Sequence, residues 1–302
     1  MQQIDEPAIQ TEALSHRFGS LDVLRDLSME VPRGAICGLL GSNGCGKTTL
    51  FRLLIGMLYP RQGSSRVLGL DPLRDAVEIR LRVGYMPQES DYDPAMTVQQ
   101  TIDFIRPLYG DHWNETEFQR QLTRFNLVDL ADLEVEFLSV GMRQRLALAI
   151  TLAPEPELLL LDEPTAGLDA IVRRDFAEAV VEYMSIGNRT VVLSSHLLND
   201  IERLVDYVIV LEEGRQLLAA PLDDLKEKLV RLEVTMPEHA EEVELPDVLS
   251  QYRVGNTLYL AMWNDDSGEV EVVKQRLKAS GGEVVEVGES NLDSIFVDLM
   301  RS

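Results

Sequence analysis

GSNGCGKT, at residues 41–48, follows the apolar run AICGLL and leads directly into TLFRLLIGML. Its spacing is G-x-x-x-x-G-K-[ST], with Gly41, Gly46, Lys47 and Thr48 at the fixed positions. Ser42, Asn43, Gly44 and Cys45 lie between them, and Thr49 follows. Glycines at this spacing let successive backbone N–H groups wrap a phosphate, and a helix starting at Gly46 adds the positive end of its dipole. Lys47 then reaches the β and γ oxygens, and the Thr48 hydroxyl binds Mg2+. Average residue usage gives such a match by chance on the order of once in a hundred chains of this length. The context that confirms it, a strand over 35–40 and a helix over 47–58, is predicted on either side. The loop therefore reads as a nucleoside-triphosphate site for ATP and Mg2+, in an α/β fold of the P-loop NTPase type.

Working outward, LLLLDEP at 158–164 is an apolar strand that delivers Asp162 and Glu163 at its carboxyl end, where open α/β sheets place ligands. An aspartate there can hold Mg2+ through water, and the adjacent glutamate can polarise an attacking water. A strand ending in DE is by itself usually a solvated strand end; a phosphate loop earlier in the chain favours the chemical reading. Strands over 8–14 and 23–31 open the chain. Between 97 and 137 the pattern turns helical, as an insert. Then come a helix (140–152), strand (157–161), helix (170–186), strand (190–194), a helix from 197, and two strands around Glu213-Gly214. This alternation predicts a sheet flanked by helices. The nucleotide-binding domain is expected over 1–220, with a helical subdomain at about 90–153. Residues 221–302, with 18 acidic and 8 basic side chains, net −10, read as a small α+β accessory domain that ends in a helix over 292–300.

Composition narrows the partners. The chain of 302 residues has 28 basic and 51 acidic side chains, net −23. A nucleic-acid binder would show a basic face, and a protein held on anionic lipid a basic patch. No apolar run approaches the ~20 residues needed to cross a bilayer, and MQQIDEPAIQ is too acidic and polar for a signal peptide. The expectation is a cytoplasmic chain with no nucleic-acid partner and no direct membrane insertion, peripheral at the cytoplasmic face of the cell membrane through a protein partner. The two cysteines, Cys37 and Cys45, read as small residues kept reduced.

Five further motifs, with the phosphate loop and strand-DE segment, bring a family into view. Phe18 stands in HRFG, Gln88 in YMPQ, Ser139 and Gly141 in LSVGMRQR, Asp169 in AGLD, and His196 in SSH. In this order they resemble the nucleotide-binding subunit of an ABC transporter, over about residues 8–220. The resemblance implies that Phe18 stacks on adenine, and that Gln88 touches Mg2+ and the attacking water. Ser139 and Gly141 would belong to the signature that grips a partner's γ-phosphate, Asp169 to the loop crossing to that partner, and His196 would contact the γ-phosphate. Singly, each has a plainer reading: Phe18 as core, Gln88 as a surface residue, Asp169 as a helix cap, His196 as structural.

The signature departs from the family's LSGGQ, with Val140 for the first glycine and Met142 for the glutamine. Ser139 sits where an N-cap would, so position 140 needs only helical φ, which valine tolerates. Met142 removes a polar contact across the interface. The resemblance also implies that each chain holds two half-sites, so that hydrolysis needs a second ATP-binding subunit, identical or paralogous, in a head-to-tail pair. The expected function is an ATPase that powers transmembrane permease subunits. An exporter is favoured over an importer by the GMRQRLAL variant and by the ending ESNLDSIFVDLMRS, which resembles that of ABC-2-type subunits. The alternatives are a soluble ABC-type ATPase of DNA repair or translation, and a poorly hydrolysing regulatory subunit.

Overall fold

The computed structural model describes residues 6–196, 201–237, 245, 248–264 and 268–287. The run preceding the phosphate loop forms β3 (Ile36–Gly41), buried along its whole length. It is flanked on both sides by parallel neighbours, β7 (Thr190–Ser195) and β8 (Tyr207–Glu212). Beyond β7 lie β6 (Leu158–Leu161) and β5 (Val83–Met86), also parallel, and beyond β8 lies β9 (Arg215–Pro221), antiparallel. The six-stranded order is β5-β6-β7-β3-β8-β9.

Continuous apolar runs suit such strands because both faces are covered. Successive side chains point to opposite faces, and in LLLL this divides the leucines evenly. Leu158 and Leu160 enter one core with Leu39, Val192, Ile209 and α1 (Lys47–Leu54). Leu159 and Leu161 enter the other with Leu40, Leu193, Val210, α5 (Val140–Leu152) and α6 (Ala170–Met184). The first core is closed by a three-stranded antiparallel sheet, order β2-β1-β4, made of β1 (Ile9–Phe18), β2 (Leu21–Val31) and β4 (Gln62–Val67).

The helical insert contains α3 (Val98–Tyr109) and α4 (Glu115–Arg124). A capping box starts α3: the Thr97 hydroxyl accepts from the Gln100 N–H, and the Gln100 side chain accepts from the Thr97 N–H. Phe118 and Phe125 anchor the insert in the second core. Ion pairs from Arg120 and Arg124 converge on Glu182 of α6. Arg124 is held below its usual value by burial, although carboxylates around it oppose the shift.

The third sheet has order β11-β12-β10-β13, antiparallel throughout, from β10 (Leu229–Thr235), β11 (Val248–Val254), β12 (Thr257–Trp263) and β13 (Glu283–Val287). With α8 (Glu269–Ala279) it encloses its own core around Leu232, Val234, Met262, Val273 and Leu277. The connecting helix α7 (Leu222–Lys228) sends Leu222 and Leu225 into the larger core instead. Leu229 still packs against the larger core and Val230 is the first against the smaller one, so the compositional change at Pro221 precedes the change of core.

The first helix ends at Leu54, four residues short of the expected 58, as the chain turns ahead of Gly56. β4, β5 and α2 (Ala76–Arg82) are short elements that pattern reading passed over. The start of the helix expected from 197, residues 197–200, and all of the closing helix over 292–300 lie outside the described residues, and residues 201–204 form turns. Among the described residues, no helix is long and apolar enough to cross a membrane.

Candidate functional site

β3, β5, β6 and β7 run parallel, so their carboxyl ends share one edge of the sheet. The loop at 42–46, Gln88, the pair Asp162-Glu163 and His196 all follow those ends. Topology therefore collects residues spread over 155 positions of sequence.

Two glycines of the loop are fixed by space. A Cβ on Gly41 would lie 2.4 Å from Cys45 Sγ and 2.6 Å from the Leu211 carbonyl oxygen. Gly46 has φ +113°, and a Cβ there would meet Leu24 Cδ2 at 2.6 Å; an L side chain is excluded on both counts. Lys47 is buried, and its ammonium makes two hydrogen bonds within the loop and an ion pair across the sheet edge. It donates to the carbonyls of Gly41 at 2.8 Å and Ser42 at 3.2 Å, and pairs with Glu163 Oε1 at 3.2 Å.

Glu163 is the centre of this edge. Its other oxygen, Oε2, accepts from His196 Nδ1 at 2.7 Å, which places the proton of a neutral imidazole on Nδ1. Its backbone is left-handed, φ +47°, a conformation that costs of order 1 kcal/mol or more for an L residue. The N–H of this strained residue donates to Ser194 Oγ at 2.8 Å. The same hydroxyl donates to Asp162 Oδ1 at 2.6 Å. Asp162 is fully buried, and its Oδ2 has no hydrogen-bond partner among the described residues. A buried carboxylate oxygen without a donor calls for a cation or water.

A cavity of 220 Å³ opens here, lined by Asn43, Gly44, Gly46, Lys47, Thr48 and Thr49 together with Val23, Gln88 and Glu163. Val23 is a lining residue that sequence patterns did not single out. Phe18 is 49% exposed at the end of β1 rather than core, edge-on to His16 at 4.7 Å. Burial raises the thiol pKa of both Cys37 and Cys45. Both are buried and unbridged.

Ser139, Gly141 and Asp169 do not line this cavity. Ser139 caps α5, its hydroxyl accepting from the Met142 N–H at 3.2 Å. Asp169 caps α6, accepting from the Ile171 and Val172 N–H groups at 2.9 Å each. Gly141 packs beside α6, where a Cβ would stand 3.5 Å from Val172. Val140 is half exposed and lines a separate cleft of 530 Å³ with Gln88, Ala166 and Gly167. Met142 is partly buried against the second core, so its thioether contributes packing at the place where the family carries an amide.

This geometry has relatives. The family model described as ABC transporter matches residues 24–166. The daunorubicin resistance ATP-binding protein DrrA3 of Streptomyces coeruleorubidus is 36% identical over 223 residues, 73% of this chain and 70% of its own. The chain belongs to the ABC transporter family. A second ABC relative, the Nod factor export ATP-binding protein I of Rhizobium etli, is 32% identical over 303 residues, 97% of this chain and 93% of its own. The solved structure of an ATP binding subunit of an ABC transporter aligns with TM-score 0.66 and 27% identity, over 73% of this chain and 92% of that one. As an ABC ATP-binding subunit, the chain binds ATP and hydrolyses it to power transport. Subunits of this kind partner with transmembrane permeases.

Besides Val23, a second residue of this ABC site escaped motif reading. Ser194 stands within SSH, yet only the register of β6 against β7, which sets Leu161 beside Leu193, brings its hydroxyl between Asp162 and the Glu163 N–H. Sequence offers no local signal for that contact.

Proposed function

We propose that this chain is the energising subunit of an exporter, working as a head-to-tail pair on separate transmembrane permease subunits at the cytoplasmic face of the membrane. The observation that carries the reading is the Glu163 carboxylate, held between Lys47 and His196 at the mouth of a glycine-cradled cavity. In the proposed cycle the triphosphate takes over the donors of Lys47 and the loop N–H groups, and Phe18 offers its exposed ring to the base. Lys47 thereby leaves Glu163 free to orient the attacking water and accept its proton, while His196 fixes the carboxylate from the other side. Mg2+, held by Thr48, Gln88 and, through water, Asp162, would neutralise charge on the phosphates; the orphaned Asp162 Oδ2 suits that role.

Ser139 and Gly141 lie at the start of α5, away from the Lys47 cavity, as half-sites meant for a second copy or a paralogue would. The helix dipole and first N–H groups of α5 would meet the γ-phosphate bound by that partner, with Asp169 in the crossing loop beside it. The names of DrrA3 and the Nod factor protein, one for drug resistance and the other for export, support outward transport. The sheet of β10–β13, with its own core, is read as an accessory domain attached through α7.

Glu163→Gln tests this directly. The variant should bind ATP normally and accumulate as an ATP-bound dimer in size-exclusion chromatography, with hydrolysis lower by about 10²–10⁴-fold. Hydrolysis at the unmodified rate would remove Glu163 from its role.

A further inference from the structure

The cleft of 530 Å³ lies where three loops meet. Gln88 contributes from the end of β5, Val140 and Gln144 from the first turns of α5, and Gly167 from the segment ahead of α6. Gln88 belongs to this cleft and to the nucleotide cavity at once. Its backbone carbonyl accepts from Gln144 Nε2 at 3.0 Å.

Three consecutive side chains of α5 fix that helix in three directions. Arg143 donates to the Leu138 carbonyl at 2.9 Å, bracing the turn that carries Ser139. Arg145 pairs with Asp175 of α6 at 3.1 Å. Gln144, between them, reaches the loop that lines the nucleotide cavity. Its orientation is not interchangeable: a carbonyl acceptor demands the amide NH₂, so flipping the amide would set oxygen against oxygen. The other end, Oε1, is buried without a hydrogen-bond partner among the described residues. Leaving one polar atom unmet is unfavourable, which makes this amide a poor space-filler and leaves the bond to Gln88 as its contribution.

We propose that Gln144 is a positioning residue for hydrolysis, a latch joining the backbone of Gln88 to the N-terminal turn of the signature helix. A shift of Gln88 when nucleotide enters is then transmitted to α5, whose capped end at Ser139 faces the second subunit. The bond lets each subunit register its own nucleotide in the surface it presents to its partner. The inference rests on the proposed part of Gln88 in the hydrolytic site.

The test uses the full chain and two replacements of similar length. Gln144→Met keeps the bulk and removes the donor, whereas Gln144→Lys keeps a donor and places a charge in the cleft. The latch predicts that Gln144→Met lowers kcat about five- to tenfold, the worth of one hydrogen bond, with equilibrium ATP affinity unchanged. Gln144→Lys should retain at least half of the activity. A packing role predicts the reverse order, because methionine is the milder change in volume and polarity. Full kcat in Gln144→Met, or an equal loss in both variants, overturns the latch. Gln88→Ala, assayed beside them, separates the two layers. Normal hydrolysis by Gln88→Ala refutes the reading beneath the latch, whereas slow hydrolysis with an unaffected Gln144→Met refutes the latch alone.

Discussion

Ser194→Ala removes one oxygen atom from the interior of the sheet edge, and the structure gives the size of the effect. Two bonds disappear. The hydroxyl's 2.6 Å bond to Asp162 Oδ1 is charge-assisted and contributes about 1.5–3 kcal/mol. The bond accepted from the Glu163 N–H contributes about 1 kcal/mol, and it also restrains a residue at φ +47°. The variant leaves Asp162, fully buried with Oδ2 already unpartnered, without a hydrogen-bond donor on its side-chain oxygens among the described residues. The sum is about 2.5–4 kcal/mol, a fall in Tm of about 5–15 °C for a body of this size. Calorimetry or unfolding followed through Trp113, which packs on Phe118 in the same body, reads this directly. Hydrolysis should fall as well, because Asp162 and Glu163 both lose their restraint. A loss in Tm under about 2 °C would refute the claim that this hydroxyl holds the two carboxylates.

Lys47→Ala should abolish most ATP affinity, since the ammonium is the buried cation of the phosphate cavity; unchanged binding in equilibrium titration would sink the phosphate-loop assignment. It should also release Glu163 from its 3.2 Å pair, leaving His196 as its contact. Glu182→Gln should loosen α4 from α6 by removing the carboxylate shared by Arg120 and Arg124. Glu182 is 40% exposed, so the cost should stay near 1 kcal/mol and fade in high salt. A loss in Tm that is insensitive to salt would contradict an ionic origin.

The loop at 41–48 and the segment at 158–164 were legible because their chemistry requires particular residue types at fixed spacing. Lys47, Asp162 and Glu163 could therefore be singled out from the chain alone as candidates, and the sheet edge brings them together. The central strands were legible too, because their unbroken apolar runs demand cover on both faces. The N-caps Ser139 and Asp169 were legible for the same reason, being local bonds over two or three residues. Short elements were not. β5 has four residues, too few for a period to show against the helix before it, yet it delivers Gln88 to the site. α7 was read into the smaller domain from composition, whereas its leucines bury in the larger core.

What the sequence determined by itself was the list of candidate groups and the central strands and loops that carry them. Only the tertiary structure decided which of these groups touch. The Lys47–Glu163 pair, the Ser194 hydroxyl spanning Asp162 and Glu163, and the Gln144 bond to Gln88 join residues between 31 and 116 positions apart. Such contacts depend on strand order and register, which follow from how the whole set of apolar faces packs and leave no local trace in the chain.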